Sequence, residues 1–251
     1  CVAGHSKWAN IKHRKGKEDA RRGQLFTKLA KQITLAAREG GGDPESNFRL
    51  RLAMDTARNN NMPNDNIERA IKRGTGELES ENLEEVIYEG YGPGGMAVLV
   101  EALTDNRNRT ASDVRHVFSK HGGSLGESGC VAWMFEKKGR LAIDKQAAAV
   151  DEDALMLEAI ENGAEDIEVD EEYIGIITAP GDFEAVKKAL ESSGYKFDDA
   201  AVTMIPTNTV EIPQDKSVQA LRLLEALEDL DDIQEVYANG DIDEEALLEG
   251  A

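Results

Sequence analysis

The sequence predicts an α+β fold: an N-terminal three-helix domain followed by two ferredoxin-like α/β domains, one inserted in the other. Three observations carry this. Apolar residues recur at helical spacing as far as Gly74, strand-like runs alternate with helices beyond Gly76, and one stretch reads β-α-β-β-α-β. The implied domains are a basic arm with three helices over residues 1–78, a split α/β domain over 79–131 plus 209–251, and an inserted ferredoxin-like domain over 132–208.

Residues 1–24 form a polar arm in which Lys7, Trp8, Lys12, His13, Arg14, Lys15, Lys17, Arg21 and Arg22 surround a few apolar side chains. From Arg21 to Arg38, Leu25, Phe26, Leu29, Ile33, Ala36 and Ala37 share one arc of a helix, and Arg21, Lys28, Lys31 and Arg38 lie opposite. Gly40 to Gly42 end that helix. A second helix is expected from about Glu45 to Asn59, with Leu50, Ala53, Met54 and Ala57 inward and Arg51 and Arg58 outward. Met62-Pro63 stops it, since the residue before proline avoids helical geometry. Asn64 or Asp65 should cap a third helix, with Glu68 completing a capping box, Ile67, Ala70 and Ile71 inward, and Arg69, Lys72 and Arg73 outward.

In the α/β part, Val86 to Tyr91 and Met96 to Leu103 read as strands joined by Gly92-Pro93-Gly94-Gly95, a turn rather than a phosphate loop because no Lys-Ser/Thr follows. A helix is expected to start at Thr110 with Asp113 in its capping box, and a strand to include Cys130 to Phe135. The inserted unit then runs strand Arg140–Ile143, helix Asp151–Asn162, strands Glu165–Val169 and Tyr173–Thr178, helix Asp182–Ser193, and strand Ala201–Pro206. A helix from Val218 to Leu230 and a strand from Ile233 to Tyr237 close the chain's pattern.

Charge is segregated. Of 251 residues with a net charge of −20, residues 1–75 hold 16 Lys+Arg against 8 Asp+Glu, a net +8. The remainder holds 13 against 41, a net −28. A cationic front end on an anionic body suits a polyanion at one end only. Lysines and arginines would gain affinity by releasing condensed counterions, and Trp8 could either stack on an unpaired base, worth about 1–3 kcal/mol, or anchor the arm to the helices. Arg107 and Arg109, in a polar loop before a helix, offer either a second anion contact or pairing with nearby carboxylates.

Other chemistries find little support. His5 and His13 lack companion ligands, and Asp229, Asp231 and Asp232 read as a solvated helix end. Ser128 lacks the full nucleophile-elbow pattern. No catalytic residue, metal or cofactor is expected, and a metal-dependent nuclease would rest on abundant carboxylates alone. Two cysteines make no disulfide framework, and neither a signal peptide nor a spanning segment is expected, so a cytoplasmic (bacterial cytosolic) setting is.

Gly4-His5-Ser6-Lys7-Trp8-Ala9-Asn10-Ile11-Lys12-His13-Arg14-Lys15 resembles the opening of the YebC/PmpR family. Arg49 to Arg58, Asn61 to Gly74, Tyr88 to Gly95 and Thr104 to Thr110 are similar to further family motifs, so the resemblance spans essentially the whole chain. It implies a helical domain with two α/β domains and a non-enzymatic regulator, some members binding promoter DNA. The family also includes the mitochondrial translational activator of cytochrome c oxidase, and bacterial members are linked to ribosomes stalled on proline-rich sequence. Two partner expectations follow: nucleic acid, DNA or ribosomal RNA, bound by the arm and helices; or the ribosome, with the acidic body docked on basic ribosomal proteins. No membrane or small-molecule partner is expected.

Overall fold

The computed structural model describes residues 19–79, 82–145, 151–169 and 173–242, with side chains from residue 23 onward. It is α+β, as expected, and divides into two compact units, residues 1–133 with 208–251 and residues 134–207.

The first unit opens with helices α1 (Asp19–Gly40), α2 (Phe48–Asn59) and α3 (Asn64–Gly74). Leu29, Ile33, Ala36 and Ala37 of α1 meet Leu50, Met54 and Ala57 of α2 and Ile67 and Ala70 of α3 in one buried cluster. Asn47 joins the first two helices. Its Oδ1 accepts from the Leu50 amide at 3.0 Å, capping α2, while its Nδ2 donates to the Ala36 and Gly41 carbonyls, both at 2.8 Å. Gly74 lets α3 approach α1: a Cβ there would sit 2.4 Å from the Thr34 carbonyl oxygen and 2.6 Å from the Ala37 Cβ. The expected capping box of α3 is absent, because Pro63 occupies the cap position and no side chain bonds the first-turn amides.

The same unit continues with strands β1 (Glu84–Tyr91) and β2 (Ala97–Thr104), helix α4 (Arg107–Lys120) and the short strand β3 (Ser124–Leu125). After the inserted unit it resumes with β8 (Val210–Glu211), α7 (Gln214–Glu228), β9 (Ile233–Ala238) and β10 (Gly240–Asp241). The antiparallel sheet has the order β3-β1-β2-β9, and β8 and β10 form a separate parallel pair. Val86, Tyr88, Val98 and Val100 pack one face of the sheet on Phe118 of α4 and Leu223, Leu224 and Leu227 of α7. Leu103, on the opposite face by strand alternation, packs with Leu35 of α1 and Leu83. Covered on both faces, β2 is buried at every position except Glu101, which is half-buried. Gly94, at φ 77°, supplies the left-handed residue that the β1–β2 turn needs.

Two sequence expectations shift here. The helix expected at Thr110 starts three residues earlier, because Asn106 is the cap and its Oδ1 accepts from the Arg109 amide at 3.1 Å. The strand expected over Cys130 to Phe135 gives way to a single 3-10 turn, Ala132–Met134, and a strand that begins at Phe135. The cause is Glu89, whose carboxylate takes the amides of Gly129 (2.6 Å), Val131 (2.8 Å) and Ala132 (2.7 Å) and so removes them from any ladder.

The second unit contains β4 (Phe135–Asp144), α5 (Glu152–Glu161), β5 (Ala164–Val169), β6 (Tyr173–Thr178), α6 (Phe183–Ser192) and β7 (Asp199–Pro206). Its sheet order is β5-β6-β4-β7, antiparallel throughout, which is the ferredoxin-like arrangement. Leu141, Ile143, Leu155, Ile174, Ile176, Phe183, Val186 and Leu190 are all essentially inaccessible.

Candidate nucleic-acid interface

The outward face of α3 carries three exposed cations, Arg69, Lys72 and Arg73, interleaved with the carboxylates Asp65 and Glu68. Its apolar side, Ile67 and Ala70, is buried on α1 and α2, so the 3.6-residue repeat turns Arg69, Lys72 and Arg73 into solvent. Arg69 donates to the Asp65 carbonyl at 3.3 Å and to the Asn66 side-chain oxygen, both neutral acceptors, and makes no ion pair among the described residues. Among the described residues neither Lys72 nor Arg73 has an ion-pair partner. Arg69 faces like charges three and four residues on, in Lys72 and Arg73, a repulsion of about 0.2–0.5 kcal/mol per pair that is offset in part by Asp65 and Glu68, four residues before Arg69 and Lys72, and by the place of Lys72 and Arg73 at the negative end of the dipole. An anion laid across the three would relieve that repulsion. Arg58 of α2 is also exposed, and its 3.4 Å pair with Asp55 leaves both groups about half accessible, a contact worth little.

Other expected contacts are redirected. Arg51 sits 5.5 Å over the Phe48 ring and donates to the Pro44 carbonyl at 2.9 Å, holding the loop before α2. Lys28, Lys31 and Arg38 of α1 turn to the α/β layer rather than outward. Lys28 donates to the Glu228 carbonyl, Arg38 to the Leu83 carbonyl at 3.3 Å, and Lys31 pairs with Asp232 at 2.9 Å. The physical reason is that α1 has two neighbours, α2 and α3 on one side and the α/β layer on the other, so its polar stripe is itself an interface. Gln24 extends that stripe, donating to Asp229 and Asp231.

Asp232 is the hub of this contact and is buried, contrary to its reading as part of a solvated helix end. Lys31, Arg109 and Thr110 reach its carboxylate at 2.8–2.9 Å and Thr104 at 3.3 Å. Burial alone would raise its pKa, but the bonds from Lys31, Arg109 and Thr110 outweigh burial and hold it at about 2. Arg109 also pairs with Asp105 at 2.8 Å, so of the two readings open for it the carboxylate pairing is the one found. Arg107 is exposed and lends its backbone carbonyl to the Tyr88 hydroxyl at 3.2 Å.

Sequence reasoning missed Glu89, though a carboxylate between Tyr88 and Gly90, inside the apolar run expected as a strand, was the available signal. Burial pushes its pKa up, yet its three amide donors win and leave it below the usual carboxylate range. Lys7, Trp8, Lys12, His13, Arg14, Lys15 and Lys17 lie outside the described residues, as do the side chains of Arg21 and Arg22. Among the described residues no group of three or more His, Cys, Asp or Glu could hold a metal ion, and no helix is long and apolar enough to cross a membrane.

Family profiles described as the TACO1/YebC protein N-terminal domain and the TACO1/YebC second and third domain match residues 6–77 and 83–240. A protein of Halothermothrix orenii named a probable transcriptional regulatory protein is 60% identical over 250 residues, covering 99% of this chain and 98% of its own length. One of the same name from Natranaerobius thermophilus is 58% identical, covering 99% of this chain and 100% of its own. The crystal structure of a conserved hypothetical protein from Aquifex aeolicus, 52% identical, superposes with a TM-score of 0.82 over 91% of this chain and 95% of that one.

Proposed function

The chain belongs to the TACO1/YebC family, whose relatives are named probable transcriptional regulatory proteins, and on that premise we propose that it is a non-enzymatic, cytoplasmic regulator that binds nucleic acid. The contact surface is the outward face of α3 with Arg58, extended by Lys7, Lys12, Arg14, Lys15, Lys17, Arg21 and Arg22 of the arm. The supporting observation is that Arg69, Lys72 and Arg73 crowd one exposed helix face and, among the described residues, make no ion pair with a carboxylate. Phosphates supply what that face lacks. Crosslinking in cells, followed by sequencing of bound DNA and RNA, tests the reading. Recovery of promoter DNA indicates action on transcription and recovery of ribosomal RNA action on translation; nucleic acid no richer than in an untagged control contradicts it.

A second reading is favoured by the inserted unit. Residues 134–207 carry 7 Lys+Arg against 18 Asp+Glu, a net −11, and α5 exposes Leu157 (61%) and Ile160 (60%) beside Asp153 and Glu161. Apolar side chains ringed by carboxylates suit a basic protein partner, such as a ribosomal protein. Co-sedimentation with ribosomes that survives Lys72→Gln with Arg73→Gln but fails with Leu157→Asp supports this docking; the reverse pattern speaks against it.

A further inference from the structure

A groove of about 620 Å³ runs between α1 and α3 in the first unit, a size ordinary for a small-ligand site. Phe26 and Ala30 of α1 and Met62 before α3 give it an apolar lining; Arg69 and Arg73 stand on its α3 side, Lys31 on its α1 side, and Glu79 is the one carboxylate among its lining residues. One end is limited by the tight approach of Gly74 to the Thr34 carbonyl.

Resting on the nucleic-acid reading above, we infer that this groove takes one unstacked nucleotide of a single-stranded polynucleotide, its base against Phe26 and Met62 and its phosphate on Arg69 and Arg73. Arg69 and Arg73 are one helical turn apart, so a single phosphate can bridge them and remove their mutual repulsion. Phe26 is half-buried, packed against the core cluster and lining the groove, so part of its ring is available to a base. Asn66 accepts from Arg69 through its oxygen, and among the described residues its Nδ2 has no acceptor, which leaves it as a donor for a base edge.

The charges decide between occupants. Cations outnumber the one carboxylate in the lining, so an anionic phosphate complements it, whereas residues 1–18 of the chain, with five Lys+Arg against one Glu, bring charge of the same sign. A duplex can meet those arginines with a phosphate, but its bases are stacked and offer Phe26 no ring face. Of these three occupants, an unpaired strand is the one that satisfies the apolar and the cationic parts together.

The test measures anisotropy of the full chain with a labelled single strand and with its blunt duplex, for the wild type, Phe26→Leu and Arg73→Gln. The wild type is expected to bind the single strand more tightly. Phe26→Leu should weaken single-strand binding about tenfold while leaving the duplex unchanged, and Arg73→Gln should weaken both. Should Phe26→Leu not fold, 2-aminopurine placed at successive positions of the strand reports stacking on the wild type by quenching at one position. Single-strand affinity indifferent to Phe26→Leu, a duplex bound as tightly, or no quenching at any position overturns the inference and leaves the proposed function standing. Failure of the wild type to bind either form overturns the proposed function as well.

Discussion

The Lys31 ammonium on α1 stands 2.9 Å from Oδ1 of Asp232, although 201 residues separate them in sequence. Side-chain accessibilities of 16% and 10% take this pair out of the class of surface ion pairs. With Arg109, Thr104 and Thr110 on the same carboxylate, it fastens the helical layer to the sheet. Asp232→Ala strands buried donors from several elements at once. It is expected to cost about 3 kcal/mol in urea unfolding, and Asp232→Asn less.

The same carboxylate makes stability depend on acid. Its pKa is lowered from 3.8 to about 2, so its contribution is complete above about pH 4 and fades as pH falls toward 2. Glu89, also lowered, adds a loss in the same direction. Urea midpoints measured from pH 5 down to 2 should fall steeply for the wild type and more gently for Asp232→Asn. Equal slopes would mean that Asp232 titrates normally.

Glu89→Gln replaces one acceptor oxygen with an amide that faces donors already aimed at it. The segment from Gly129 to Ala132 should loosen, at a cost of about 1–3 kcal/mol. Hydrogen exchange at the amides of Gly129, Val131 and Ala132 reads this directly, with faster exchange expected there and unchanged protection in β2.

At Gly74 the added methyl of Gly74→Ala would fall 2.4 Å from a backbone oxygen, which cannot swing aside. The substitution should lower stability by about 1–3 kcal/mol, despite alanine's better helix propensity. A Tm equal to or above the wild type's would show that α1 and α3 do not meet there.

Local periodicity made most of this fold legible. The stripe Leu29, Ile33, Ala36 and Ala37 lies where a 3.6-residue repeat puts it, and the β-α-β-β-α-β order of the inserted unit was readable from alternating apolar runs. What escaped was set by partners distant in sequence. A helical wheel places Lys28, Lys31 and Arg38 opposite the apolar arc, but only the folded chain shows that a second layer waits there. Cys130 to Phe135 looked strand-like because its side chains suit a strand, and Glu89, some forty residues away, decided otherwise. The cationic face of α3 was legible because its inward Ile67 and Ala70 left Arg69, Lys72 and Arg73 one direction to point. The groove beside it, made by two helices together, was not.

The division of labour among the cations is the account's central claim: those on α3 and Arg58 meet phosphate, and those of α1 hold the fold. The most direct measurement is the salt dependence of affinity for one oligonucleotide, compared between the wild type, a Lys28→Gln variant and a triple variant carrying Arg58→Gln, Lys72→Gln and Arg73→Gln. The slope of log affinity against log salt should become shallower by about 2–3 in the triple variant and stay as in the wild type for Lys28→Gln. A triple variant whose line runs parallel to the wild type's, or a slope that drops with Lys28→Gln, would contradict it.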